Sequence, residues 1–478
     1  MDAARFPSAI PAAVIVQPMR TFASLAAAAS VLLMGPAVTA CAQDAQDAQD
    51  AQGGASAAEM AALDLPEALP QATPAQVGDG RAAGKWSVEA AIGHDQWRDW
   101  TFADTPPDSL RGRLSTQYSG RWPLSSRWQA VLTNRVDISY RNGQGGLHGE
   151  DVAYTMSEAY LAFGQQRLFV DAGRMNDRTG VAYAYNPTDV FRSNSVVARV
   201  SEDPSLLRST RLGVLGVRAQ YIYDDGSLTL IAAPGVRTRP SRGVLSPRLE
   251  NTNSDTRVML RASRRLSEQS LIEGVLAHQP GVGWQPGGNV STLWGDHAVV
   301  YGEVLFTRER DIDARSDAWN PLAPYASLRD RTHYRPRAAA GVSVALGQRY
   351  TLVVEGHHDA TALDAKRLRA MAQPEDPAAL LRYLRLRQYA SDSQSPLSRR
   401  YLFSRLAVAR PFGENTSLAG FVRYNLEDDS SYLWLQTGFQ RGAFAWSATI
   451  AAPLGRRATE YGDLQASTTF LLTMEWTR

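Results

Sequence analysis

Seven histidines and a lone cysteine are the side chains of this sequence best suited to chemistry. His94-Asp95 and His357-His358-Asp359 set imidazoles beside carboxylates, the pairing that general-base and metal chemistry use. The other histidines are His148, His278, His297 and His333. No serine or second acid stands at a spacing that would complete a nucleophilic set with either pair. In an extended chain His357 and His358 also leave the backbone on opposite faces, which argues against joint metal ligation. Gly143-Gln144-Gly145-Gly146 is a polar loop tip without the strand-to-helix context of a phosphate cradle. With Cys41 alone there is no disulfide and no thiolate metal cage. Hydrolysis is thus a minor reading, and no catalytic, metal or cofactor set is assigned.

Arginines and carboxylates recur at every second position of otherwise apolar runs, which shifts attention to the elements that carry them. In 464–476, Leu464, Ala466, Thr468, Phe470, Leu472, Met474 and Trp476 share one side of an extended segment. Gln465, Ser467, Thr469, Thr473 and Glu475 share the other, with Leu471 the exception. The same period of two runs through 127–140, 416–426 and 443–451, so these are strands with one greasy face. Tight polar turns alternate with longer links such as 98–110, 176–210, 279–288, 308–336 and 358–399. Eight short and nine long connections imply an antiparallel up-and-down β-barrel of about 18 strands. The strand near 289–295 is the weakest, and 16 is the fallback without it. A soluble sandwich gives no reason for links to alternate in length. Hydrophobic content is 44%, and beyond the N-terminus no apolar run approaches the roughly 18 residues of a spanning helix. An all-β transmembrane barrel with lipid outside and water inside accounts for both.

The N-terminus reads differently. Arg20, an apolar run over 22–33 and small residues before Cys41 make 1–40 a signal-peptide region, with Met19 as a second possible start. Val38-Thr39-Ala40-Cys41 resembles a lipoprotein-processing box; ordinary cleavage after Ala40 is the alternative. Residues 41–84 form an Ala/Gln/Asp repeat and an Ala/Pro/Gly-rich stretch, expected as a disordered periplasmic linker ahead of a barrel over 85–478. The net charge of +2 gives no reason to expect nucleic acid.

A barrel this wide leaves an aqueous lumen. Alternation sends Arg113, Arg121, Arg135, Arg218, Arg257, Arg261, Arg349, Arg405 and Arg423 inward, with Asp137, Glu158, Asp171, Glu273, Glu303, Glu355 and Glu475. An arginine facing lipid at mid-depth would cost about 2–4 kcal/mol, which gives the assignment physical force. Such a set is either cross-strand pairing that stiffens the wall or a field that guides anions and polyhydroxylated solutes. Replacing Arg113, Arg135 and Arg423 together is then expected to move ion selectivity toward cations. Trp122, Trp128, Tyr140, Tyr424, Trp446 and Trp476 are candidates for the interfacial girdles. The link 176–210 is either an external loop or a constriction folded into the pore, carrying Arg178, Asn186, Asp189 and Arg192. Asp376-Pro377 can start a helix that groups Leu380, Leu381 and Leu384. That helix would touch lipopolysaccharide, plug the mouth or pack on neighbouring links.

Gly173-Arg174, then Tyr185-Asn186-Pro187-Thr188-Asp189-Val190-Phe191, then an alternating hairpin through Pro234 resembles porin-like barrels of Gram-negative outer membranes. The strand count is similar to that of the alginate-export porins. In architecture the resemblance spans most of 85–478; at motif level it spans 173–234. It implies an outer-membrane channel for polar or anionic solutes or oligosaccharides, with outer-membrane lipid, lipopolysaccharide and the solute as partners. A non-conducting barrel that binds or assembles surface polysaccharide, and a barrel hydrolase, stand as alternatives. Oligomeric state is left open.

Overall fold

The computed structural model describes residues 83–98, 109–141, 152–197, 201–236, 246–318, 333–372 and 377–478. The signal region, Cys41, nearly all of the linker and His148 lie outside the described residues. The wall opens with β1 (Ala83–Trp97), β2 (Ser109–Pro123), β3 (Trp128–Arg141), β4 (Val152–Gln165), β5 (Leu168–Met175) and β6 (Val214–Tyr223). It continues through β7 (Gly226–Ala233), β8 (Arg257–Ser267), β9 (Ser270–Gln279), β10 (Gly283–Trp294), β11 (Ala298–Thr307) and β12 (Arg335–Leu346). It ends with β13 (Tyr350–Asp359), β14 (Arg400–Ala409), β15 (Thr416–Asn425), β16 (Ser431–Arg441), β17 (Phe444–Leu454) and β18 (Ala466–Thr477). The links hold α1 (Pro204–Ser209), α2 (Leu249–Thr252), α3 (Ile312–Ala318), α4 (Ala365–Ala372) and α5 (Pro377–Asp392). Among the described residues no helix is long and apolar enough to cross a membrane.

Each strand pairs antiparallel with its sequence neighbour, and β18 closes on β1, giving an 18-stranded barrel. Closure aligns Glu89 with Glu475 on the inner face and Ile92 with Leu472 on the outer. β10 is present, with Asn289 opposite both Glu273 and Glu303, so the parity holds without the 16-strand fallback. Pro286, Gly287 and Gly288 hide its alternation. Because it starts at Gly283, the expected long link 279–288 shrinks to 280–282. β1 starts at Ala83, so the last two positions of the expected linker are strand. A register shift opposite Ser157 lets Thr155 and Glu158 both face inward although their parity differs.

The two faces differ as lipid and lumen faces must. On β13 and β14, Val353, Glu355, His357, Tyr401, Phe403 and Arg405 are buried, while Leu402 and Leu406 on the alternate positions of β14 stand exposed. Trp86, Tyr118 and Trp122 pack against one another outside at centroid distances of 4.7 and 5.8 Å. Phe439, Trp446 and Phe444 do so at 5.6 and 5.9 Å, and Trp128 meets Phe163 at 5.0 Å. All sit at the short-turn end, forming one girdle; Trp476 joins them opposite Phe444. Tyr140 and Tyr424 occupy the other end. An Ile450→Arg substitution on the outer face of β17 is expected to lower folding stability in liposomes by about 2–4 kcal/mol. Thr449→Arg, one position along and facing inward, should cost far less; equal losses in denaturant titration would contradict the assignment of faces.

Candidate functional site: the constricted lumen

The lumen is filled from one side by the described residues of the link between β5 and β6, 176–197 and 201–213. Its apolar side chains leave water by packing on the inner wall. Tyr183 joins Val353, Phe403, Phe421 and Trp434, Val181 and Tyr185 join Tyr301 and Ala339, and Phe191 joins Ile231, Met259 and Val275. A segment without regular structure must find partners for its main-chain groups, and the wall carboxylates supply them. Glu303 accepts the Val181 N–H at 3.0 Å and the Thr188 hydroxyl at 3.1 Å. Glu355 accepts the N–H groups of Tyr183 and, at 2.9 Å, Ala184. Tyr301 OH and His357 Nε2 approach the same carboxylate at 2.6 and 2.9 Å. Tyr185 OH donates to Asp359 at 2.8 Å. Gly180, at φ +97°, permits the close approach: a Cβ there would lie 2.4 Å from the Glu303 carboxylate.

Charge fixes the base of the segment. Arg211 and Asp189, both almost fully buried, pair at 2.6 Å. Asp177 meets Arg218 at 3.3 Å and Arg261 at 3.2 Å. Burial alone would raise the Asp177 carboxyl; the Arg261 and Arg218 guanidiniums outweigh that and hold it below the usual carboxylate range. Arg174 donates to the Gly213 carbonyl at 2.9 Å and to Thr252 Oγ1 at 3.3 Å, tying the end of the segment to the β7–β8 link. Of the resembling run, Gly173-Arg174 lies near the end of strand β5 and 185–191 is the middle of the insertion, packed on the inner wall.

At the long-link end the links pack on one another as a cap. Tyr383 and Leu386 of α5 pack with Ile312, Leu363 and Leu368 from the links carrying α3 and α4. The expected helix is real, but its packed face is Tyr383, Leu386 and Tyr389; Leu381 and Leu384 stay exposed. The 3.6-residue period favours the aromatic side because Tyr383 also reaches Asp463 at 2.8 Å. α5 packs on neighbouring links, the third of the expected arrangements.

Between the insertion, α5 and the wall from β13 round to β2 lies a cavity of about 830 Å³. Arg192, Arg208, Arg387 and Arg423 line it, with hydroxyls of Tyr185 and Tyr401. Neutral groups accept from three of these cations. Arg192 donates to the Asn186 carbonyl at 2.8 Å and lies over the Tyr185 ring. Arg208 donates to the Ala182 carbonyl at 3.3 Å. Arg387 donates to Tyr383 OH and the Glu460 carbonyl, both at 2.9 Å. Arg423 hydrogen-bonds Tyr461. Glu460, facing them, is pushed up by burial, against hydrogen bonds from Tyr401 and Ser398. Arg111 and Arg211 line the cavity too but pair with Asp95 and Asp189, and with Glu202 and Asp463 also in the lining the arginines exceed the carboxylates only slightly.

The residues anticipated from sequence separate into groups. Arg135 bonds Asp137 at 2.8 Å and Ser115 at 2.8 Å, and with Arg113 it pairs with Glu89, making a charge-balanced patch on β1–β3. Arg218 pairs with Asp171 at 2.5 Å, Glu158 accepts from Thr133 at 3.1 Å, and Glu273 accepts from Asn289 at 3.0 Å. Arg257 donates to the Val190 carbonyl at 2.9 Å, and Arg405 lies over the Tyr183 ring at 5.0 Å. These hold the insertion or stiffen the wall. Arg121 lies exposed at the end of β2 on its inner parity. Arg349 is not in the wall: it sits exposed in the tight turn before β13, because that strand starts one residue later than its alternation suggests. Within the insertion Asn186, Asp189 and Arg192, all buried, line the cavity, and Arg178 is exposed. Arg211 and Glu460 were missed because irregular links carry no periodicity that would orient a side chain, and Arg208 and Arg387 because nothing local shows that their helices α1 and α5 face the lumen. His357 is the inward histidine of its pair, bound to Glu355. Among the described residues no group of His, Cys, Asp or Glu could hold a metal ion.

Comparison with solved structures gives the same architecture. OccAB1 of Acinetobacter baumannii aligns with a TM-score of 0.51 at 8% identity, over 83% of this chain and 96% of that one. OccAB3 of the same organism gives 0.50 at 10% identity, over 83% and 99%. The outer membrane protein opdK from Pseudomonas aeruginosa gives 0.47 at 10%, again over 83% and 99%. No protein-family model and no curated protein matches the sequence. The likeness is one of fold, a porin-like barrel of 18 strands.

Proposed function

We propose that the protein is an outer-membrane channel of a Gram-negative bacterium that passes small anionic, polyhydroxylated solutes. One observation carries this reading: Arg192, Arg208 and Arg387, three of the arginines lining the cavity beside the insertion, give their hydrogen bonds to neutral acceptors. An ion pair cancels its own field a few ångströms away, whereas a guanidinium bonded to a carbonyl or a phenol keeps its attraction for a passing anion. Tyrosine hydroxyls on the same wall can take over hydrogen bonds that a sugar-like solute gives up on dehydration. At about 30 Å³ per water, the cavity has room for a monosaccharide-sized anion and part of its hydration shell. The segment before the barrel serves in this reading as a periplasmic tether, with Cys41 as its lipid attachment point.

Liposome swelling tests the proposal. Vesicles holding the full chain should swell faster in a hexuronate than in an amino sugar of equal size; equal rates, or no swelling, would count against it. Acid should widen the difference. Glu460, pushed up by its burial, takes a proton before ordinary carboxylates as pH falls, which leaves the surrounding arginines less opposed. A preference for anions that shrinks between pH 7 and pH 5 would have the wrong sign.

A further inference from the structure

Two left-handed turns meet inside the mouth. Asn194, at φ 57°, lies in the insertion, and Gln394, at φ 51°, follows α5. Non-glycine residues seldom hold this conformation without surrounding contacts that fix it. Here each turn is fixed by the other. The Asn194 N–H donates to the Asp392 carbonyl at 2.9 Å. Gln394 Nε2 donates to the Arg192 carbonyl at 2.7 Å and to Ser195 Oγ at 2.8 Å. Ser193 Oγ lies 3.5 Å from the Ser393 carbonyl oxygen. Ser195 in turn bonds the Arg192 carbonyl at 2.6 Å. The backbone of Arg192, whose guanidinium lines the cavity, is thus held by Gln394, two residues past the end of α5.

The other side of α5 belongs to the cap. Arg382 pairs with Asp317 of α3 at 2.5 Å, and Arg315 of α3 lies 5.7 Å from the centre of the Tyr389 ring. Tyr383 and Leu386 share one apolar core with Leu368 of α4. A displacement of the cap cannot leave the turn at 392–395 in place, since both are rigidly joined to the same helix.

We infer that the cap and the insertion form one gate, linked where 192–195 meets 392–395, so that movement of α5 at the mouth repositions Arg192 in the constriction. This rests on the channel reading above. The link is a discrete set of hydrogen bonds between two packed bodies, the kind of element through which one site biases another. Anything that grips the outward face of α5 would shift the constriction by its difference in affinity for the two arrangements.

A reversible crosslink tests the coupling. In the full chain carrying Cys41→Ala, Ser193→Cys and Ser393→Cys should form a disulfide on oxidation. Current steps between conducting levels should then become about fivefold rarer or more, the lower end of typical site-to-site coupling, and a reductant should restore them. Gln394→Ala, which loosens the link without a crosslink, should make the steps more frequent. A disulfide that forms and leaves the steps unchanged would overturn the inference, and so would failure of the pair to crosslink. A protein that carries no current overturns the channel reading instead. Limited proteolysis within 176–213 then reads the link directly: faster cleavage in Gln394→Ala upholds it, equal cleavage overturns it.

Discussion

Glu355→Ala is expected to raise the unit conductance of the channel severalfold. One carboxylate gathers the N–H groups of Tyr183 and Ala184, the Tyr301 hydroxyl and His357 Nε2. All of these groups are buried or half-buried where the insertion meets the wall. Removing the acceptor leaves several donors unpaired, at about 1–3 kcal/mol for each that water cannot reach. The cheapest remedy is for residues 181–185 to leave the wall and take up water, which widens the bore beside them. Packing of Tyr183 against Phe403, with ring centroids 5.9 Å apart, opposes that movement. Glu355→Gln keeps one acceptor oxygen and should have a smaller effect in the same direction. Single-channel recording of the two variants beside the parent decides; unchanged conductance in Glu355→Ala would show that the segment is held by other contacts.

The second large effect concerns charge. Arg192→Gln, Arg208→Gln and Arg387→Gln together should lower the anion-to-cation permeability ratio by about tenfold or more. At an effective dielectric constant of about 20, one unit charge 8 Å from a passing ion is worth about 2 kcal/mol. A tenfold change in permeability needs only about 1.4 kcal/mol, so three such charges exceed the requirement. The alternation of the strands had pointed to Arg113, Arg135 and Arg423 instead. Glu89 and Asp137 neutralise the first two, so Arg113→Gln with Arg135→Gln should move the ratio much less. Reversal potentials measured for both sets separate the alternatives; a larger shift from the Arg113/Arg135 pair would place the selective region on β1–β3.

The wall was legible because its physics is local. A residue between water and lipid has two environments at a period of two, and strand number follows once links are sorted by length. The exceptions have local causes: Pro286-Gly287-Gly288 dilutes the pattern of β10, and the extra residue at Ser157 changes parity within β4. Arg349 was misplaced by extending a strand across its turn. What fills the barrel was less legible. Asn186, Asp189 and Arg192 were singled out because Asn-Pro-Thr-Asp is turn chemistry, yet an external loop would read alike. The insertion is decided by contacts with Glu303 and Glu355, more than a hundred residues away in sequence, and no local pattern encodes them. Arg387 shows the same limit: helical spacing found α5 but chose the wrong packed face, since Tyr383 gains from Asp463 what leucines cannot.

Zero-current potential in a salt gradient tests the whole account most directly. With the refolded full chain in a planar bilayer between concentrated and dilute potassium chloride, discrete current steps and a reversal potential of the sign set by chloride are the expected result. A membrane that stays silent, or a potential set by potassium, would contradict a hydrated passage governed by these arginines.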